Sequence, residues 1–258
     1  MDKLSMTEVW DDSRRFLRNE QALLWPIGLA GFGLSALILA MVVPVQSQTG
    51  HVSPGPWMLG LIPAMLLVLT GYLAMSRIAL QSRITVAEAL SGALRLLPRA
   101  LGIVLIVMLV ISLFALLAGL ISAGLITAAR TDPRLGATII TCIMLPFMIW
   151  ASARLALLWA VLADRETPIG ETFKISIALT RGHDGKFIGL LLLNILVYVV
   201  LTGVLELAGG SILLLLTRVL GVPGLGPLLV AILMAAFNAA YMTVWAVFLA
   251  RLYNRLAR

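Results

Sequence analysis

A chain of 258 residues with 61% hydrophobic and only 12% charged content cannot hide its apolar surface in one soluble core, where about a quarter of residues would be charged. Together with a mean hydropathy of +1.05, this makes lipid the main solvent and the chain an integral membrane protein. The net charge of +7 is no sign of nucleic acid, because the basic residues sit at span ends rather than in one patch.

Residues 1–21 carry Asp2, Glu8, Asp11, Asp12 and Glu20, unlike the basic start of a cleavable signal, so Met1 is expected to stay attached. Residues 4–20 read as a surface helix. Met6, Val9, Trp10, Ser13, Phe16 and Leu17 fall on one face, with Asp11, Asp12, Arg14, Arg15 and Arg18 on the other. Ser5-x-x-Glu8 predicts a capping box. Span one is expected over 22–43, enough for a hydrocarbon core about 30 Å thick, with Pro26 in its first turn.

The polar loop VQSQTGHVSPGP follows, and span two is expected over 57–77, opened by Trp57 and closed at Arg77. Residues 85–97 form a second amphipathic helix, started by Thr85-x-x-Glu88 and broken by Pro98. Span three takes 100–125, the loop ARTDPR follows, and span four takes 135–158. Thr167-Pro168 predicts a third surface-helix start, with Ile169, Phe173 and Ile177 in an apolar line opposite Lys174 and Arg181. Span five takes 187–207. SILLLLTRVL, between Gly209-Gly210 and GVPGLGP, reads as a short interfacial helix. Span six takes 227–249.

The basic residues check this layout. Lys3, Arg14, Arg15 and Arg18 precede span one, and Arg77, Arg83, Arg95 and Arg99 follow span two. Arg154, Arg165, Lys174, Arg181 and Lys186 lie between spans four and five, and Arg251, Arg255 and Arg258 end the chain. Of the 19 basic residues only Arg130, Arg134 and Arg218 fall on the other side. The positive-inside rule then places both termini in the cytoplasm.

The surface helices align on Glu8, Glu88 and Glu171 at intervals of about 80 residues. Eight residues on stand Phe16, Leu96 and Leu179, and the second span of each unit ends in SRIAL, ARLAL or ARLYN. Three pseudo-repeated hairpins, 4–83, 84–164 and 165–258, each led by a cytoplasmic amphipathic helix, make one all-α domain of six transmembrane helices.

Candidate functional residues are few. Arg77, Arg154, Arg165, Lys174, Arg181 and Arg251 form a basic face for anionic lipid headgroups or a membrane-protein partner, at about 1 kcal/mol per cation. Arginines at span ends also snorkel for anchorage alone. Asn194, Glu206 and Asn238 are the polar residues inside the last spans, as ion or proton groups or as interhelical hydrogen bonders. GHDGK (182–186) lacks the spacing and preceding strand of a phosphate loop and reads as a turn. His51 and His183 fall on opposite sides. Cys142 stands alone in an apolar run, and no catalytic set, metal site or cofactor is expected. Stripes of small residues at Ala115, Gly119, Ala123 and Ala231, Ala235, Ala239 suit close helix packing.

The stretch ARLALLWAVLADRETPIGETFKISIALTRG, with the closing WAVFLARLYNRL, resembles the membrane domain found with bacterial glycerophosphoryl diester phosphodiesterases and related stand-alone six-span inner-membrane proteins. The shared pattern is an Arg-Leu span end, an acidic residue before a small-Pro helix start, then a Ser and a Thr-Arg-Gly exit. In that family the phosphodiesterase activity belongs to a separate soluble domain with His and acidic metal ligands, which has no counterpart here. The resemblance implies a fold and a membrane setting. The expectation is a non-enzymatic accessory or scaffold protein, the alternative a small transporter or lipid-handling protein with a cavity among the spans.

Overall fold

The computed structural model describes residues 5–43, 55–81, 84–129, 135–165 and 167–257, and these are helical throughout, with no strand among them. Lys3, His51, Arg83, Arg130, Arg134, Arg258 and most of the loops expected over 45–56 and 129–134 lie outside the described residues. Six helical stretches are long and apolar enough to cross a membrane.

Helix α1 (Met6–Asn19) starts at Ser5, whose Oγ accepts from the Glu8 amide at 3.4 Å. Only half of the predicted capping box forms, because the Glu8 carboxylate turns outward to accept from Arg255 Nη1 at 2.6 Å. The predicted inner face holds in part: Val9 and Ser13 are buried and Phe16 and Leu17 pack against the core, but Trp10 is 48% exposed. Span one comprises α2 (Gln21–Gly28), a π-helical turn at 29–33 and α3 (Leu34–Val42). Pro26 stands a turn deeper than expected, since the helix already begins at Gln21. The π turn, closed by the Leu34 amide on Leu29 O, sets Gly31 backbone-to-backbone against Gly71 of α4 (Leu61–Leu80). A Cβ at Gly31 would stand 2.8 Å from Gly71 Cα.

The predicted break at Pro98 does not occur. One helix of 44 residues, α5 (Val86–Ala129), runs through it. An internal proline costs about 3 kcal/mol, but here the ring is on the exposed side. Ala89, Ala93, Leu96, Ala100 and Ile103, all within 2% of full burial, continue one helical stripe across it. The burial on both sides holds the backbone helical. Its start carries a complete capping box: the Thr85 amide donates to Glu88 Oε2 at 2.8 Å and the Glu88 amide to Thr85 Oγ1 at 3.2 Å. At about 1.5 Å per residue, α5 is longer than a bilayer core is thick.

Helix α6 (Leu135–Leu155) kinks at Ala156–Leu157 into α7 (Leu158–Asp164), extending span four past its predicted end. Leu157 to Ala163 includes the most enclosed residues in the chain: Leu157, Val161 and Leu162 are fully buried. Pro168, not Thr167, takes the N-cap of α8 (Ile169–Thr180), and the Thr167 hydroxyl pairs with that of Thr172 at 3.0 Å. The apolar line on α8 holds in part: Ile169 and Phe173 pack against the core, and Lys174 and Arg181 are exposed. Ile177, however, is 43% exposed, and the fully buried residues are Thr172, Ser176 and Thr180. In lipid, small hydroxyl residues at four-residue spacing allow close packing, and bulky apolar ones need no burial.

Helix α9 (Asp184–Val204) continues through a π turn (Leu205–Gly210) into α10 (Ser211–Val219), so the predicted separate interfacial helix is the end of a single 36-residue helix. The glycine pair does not break it. A Cβ at Gly209 would stand 2.9 Å from Leu233 of α11 (Gly226–Ala257), so the small residues let the two helices approach. The stop comes at Gly221, with φ +74. There the Val222 amide reaches Thr217 O and the Gly221 amide Arg218 O, a Schellman motif. Of the predicted stripes, Ala235 and Ala239 are buried as expected. On α5 the packed residues are Ala118 and Ser122, and Gly119 has nothing beside it.

Packing is uneven along the bundle. One buried cluster gathers where span one, α4, the first turns of α5, α7 and α11 meet, and a second where α1, α7, the start of α9 and the end of α11 meet. On α9 and the outer part of α5, residues such as Leu109 and Leu196 face outward.

Candidate functional site

The three arginines that close the even-numbered spans each reach the surface helix of another predicted unit. Arg77 of α4 lies against α5: a Cβ at Gly92 would stand 2.5 Å from its guanidinium carbon. Arg154 of α6 offers its carbonyl to Ser176 Oγ of α8 at 3.0 Å, and its Nη2 meets Asp184 Oδ1 at 3.0 Å. Arg251 of α11 stacks 4.2 Å over Phe16 of α1 and approaches Asp12 at 3.8 Å. The run of contacts is cyclic, from first to second, second to third and third back to first.

The rest of the predicted basic face divides. Arg165 donates from Nε to Tyr253 Oη at 3.2 Å, and that hydroxyl donates to Asp164 Oδ2 at 2.7 Å, tying α7 to α11. Lys174 and Arg181 are exposed on α8, and neither meets an acidic group among the described residues. The intramembrane polar trio is not brought together. Asn194 accepts from Tyr241 Oη at 2.6 Å through Oδ1 and at 2.7 Å through its carbonyl, an interhelical bond between α9 and α11. Glu206 is exposed on the π turn, and Asn238 is half-buried on α11. At 182–186 the tight turn is present, with Gly182 at φ +86 and the His183 amide on Thr180 O.

Arg154 is the residue around which a site exists. A partly open cavity of about 690 Å³ lies among α4, α5, α6, α7, α8, α9 and α11, walled by Tyr72, Val110, Phe147, Trp159, Phe173 and Trp245 among others. Arg154 is the one charged residue lining it. Its side chain is 16% exposed. Nη2 is held by Asp184, Trp150 lies 5.9 Å from the guanidinium, and the buried Nη1 has no hydrogen-bond partner. A buried donor without an acceptor costs about 1–3 kcal/mol, more on a cation. Chemically the cavity can take an apolar body with one anionic group at the Arg154 end. Neither Asn194 nor Glu206 lines it. The aromatic walls went unseen because they come from five helices, α4, α6, α7, α8 and α11.

No family model, curated protein or solved structure matches the chain.

Proposed function

We propose that this multi-pass membrane protein is a non-enzymatic lipid-handling protein that holds one anionic amphiphile of the bilayer in the Arg154 cavity. The acyl chains lie among the aromatic and branched walls, and the phosphate or carboxylate meets the Arg154 guanidinium. The observation that carries this reading is a single cation in the lining of an otherwise apolar, partly open cavity. Pockets of this volume bind small ligands through apolar walls and few placed polar groups. The positive-inside asymmetry puts the Arg154 end in the cytoplasmic leaflet.

The cyclic arginine contacts support three pseudo-equivalent hairpins. The resemblance to the phosphodiesterase-associated membrane domains agrees with a lipid setting. A second reading, a docking face for a membrane-protein partner, is favoured by Lys174 and Arg181, which stand exposed without acidic partners on the same end.

The test is lipid recovery from gently extracted protein. Wild type retains an anionic phospholipid or fatty acid, Arg154→Gln loses it, and Arg154→Lys retains part. Equal recovery from Arg154→Gln and wild type ends the proposal. Loss of a co-purifying protein only from a Lys174→Gln/Arg181→Gln variant supports the second reading.

A further inference from the structure

A second groove, of about 470 Å³, lies on the outside of the bundle between the α1–α2 junction and α11. Its rim is polar, made by Arg14, Arg18 and Gln21, and its floor is apolar, with Trp25 at one edge and Ala240 and Val244 from α11. Arg14 and Arg18 are a helical turn apart on α1, the spacing that brings two side chains together. Both are exposed, no acidic residue lines the groove, and neither arginine has an ion-pair partner among the described residues. The opposite flank of the same helix is different. There Arg15 lines a polar hollow together with Glu8, Asp11 and Asp12. Helix α1 therefore carries an acid-compensated flank and an uncompensated cationic one, and only the latter adjoins apolar surface.

We propose that this groove seats an anionic glycerophospholipid of the surrounding bilayer. Its phosphodiester is bridged by Arg14 and Arg18, a headgroup hydroxyl meets Gln21, and the indole of Trp25 lies at the glycerol level where tryptophan anchors membrane proteins. The volume suits a glycerophosphate head and the start of its chains, and the remaining chain runs along the outside of α11 in the bilayer. The groove shares no lining residue with the Arg154 cavity, so the two sites are independent. Each cation beside an anionic headgroup is worth about fivefold in affinity, so removing both weakens the site by about 25-fold.

The experiment is native mass spectrometry of the full chain in neutral detergent, titrated with phosphatidylglycerol against phosphatidylcholine. Wild type takes up two phosphatidylglycerol molecules in preference to phosphatidylcholine. Arg14→Gln/Arg18→Gln loses one of them by the stated factor, while Arg15→Gln, an equally exposed charge on the compensated flank, loses none. Arg154→Gln removes the other molecule. An Arg15→Gln loss equal to that of the double variant would mean diffuse charge attraction and overturn the proposal, as would a double variant that keeps both lipids. Failure of Arg154→Gln alone strikes the central-cavity reading and leaves this site standing. All variants are exposed-surface or single-charge changes, and their melting curves are read in parallel to confirm folding.

Discussion

The approach of Gly31 to Gly71 makes a test with opposite signs at two glycines. In Gly31→Ala the added Cβ stands 2.8 Å from Gly71 Cα and 3.3 Å from Leu67 O. Carbon atoms rest at about 3.5–4.0 Å, so the two helices must part by roughly 1 Å. The opposing atoms are backbone, and no flexible side-chain end can swing aside. Overpacking of this kind costs about 1–3 kcal/mol, offset by about 1 kcal/mol gained when alanine replaces glycine in a helix. The net loss is at most about 2 kcal/mol, a melting midpoint lower by up to roughly 8 °C at the usual 2–4 °C per kcal/mol. Gly189, also in a helix, has nothing within 4 Å, so Gly189→Ala keeps only the propensity gain and melts about 2–4 °C higher. Thermal melts of both variants in the same detergent decide it. Equal shifts, or a Gly31→Ala midpoint above wild type, would refute the close approach.

Pro98→Ala restores one backbone hydrogen bond in a helix that is already continuous, so it raises the melting midpoint by an amount worth about 1–3 kcal/mol without changing helix content by circular dichroism. Ser176→Ala removes the bond to the Arg154 carbonyl and lowers stability by about 1–2 kcal/mol, whereas Ile177→Ala, on the exposed side of α8, stays within about 0.5 kcal/mol. The reverse order in a melt would refute the inward turn of Ser176 and the outward turn of Ile177. Gly221→Ala, at φ +74, loses about 1 kcal/mol because alanine disfavours the left-handed region, read as a lower midpoint. The Arg251–Asp12 coupling in a double-mutant cycle is below about 1 kcal/mol, as for exposed pairs. The Arg251–Phe16 coupling reaches about 0.5–2 kcal/mol.

Six membrane-length helices were legible in the chain because an apolar run long enough to cross lipid has few other uses. The span-closing arginines were legible as a recurring tag, though not as clasps, since their partners lie tens or hundreds of residues away. Local punctuation misled at Pro98 and Gly209. In each case packing on a neighbouring helix outweighs the intrinsic tendency to break. The apolar line of α8 was legible in Ile169 and Phe173, whereas the buried hydroxyl stripe of Thr172, Ser176 and Thr180 was not, because amphipathicity rules assume water outside and beside lipid small hydroxyl residues turn inward. Arg154 could be singled out from sequence, but its cavity is assembled from seven helices and has no linear signature.

The joining of Arg251 and Arg255 to Asp12 and Glu8 has a consequence for biosynthesis. A ribosome releases α1 well before α11, so α1 must wait unfastened through the insertion of five spans before its mates emerge. Until then its cationic flank is free to rest on headgroups, and the bundle shuts only once α11 has been made. Loss of the final helical turns would therefore be felt at the opposite end of the polypeptide, as an α1 open to protease.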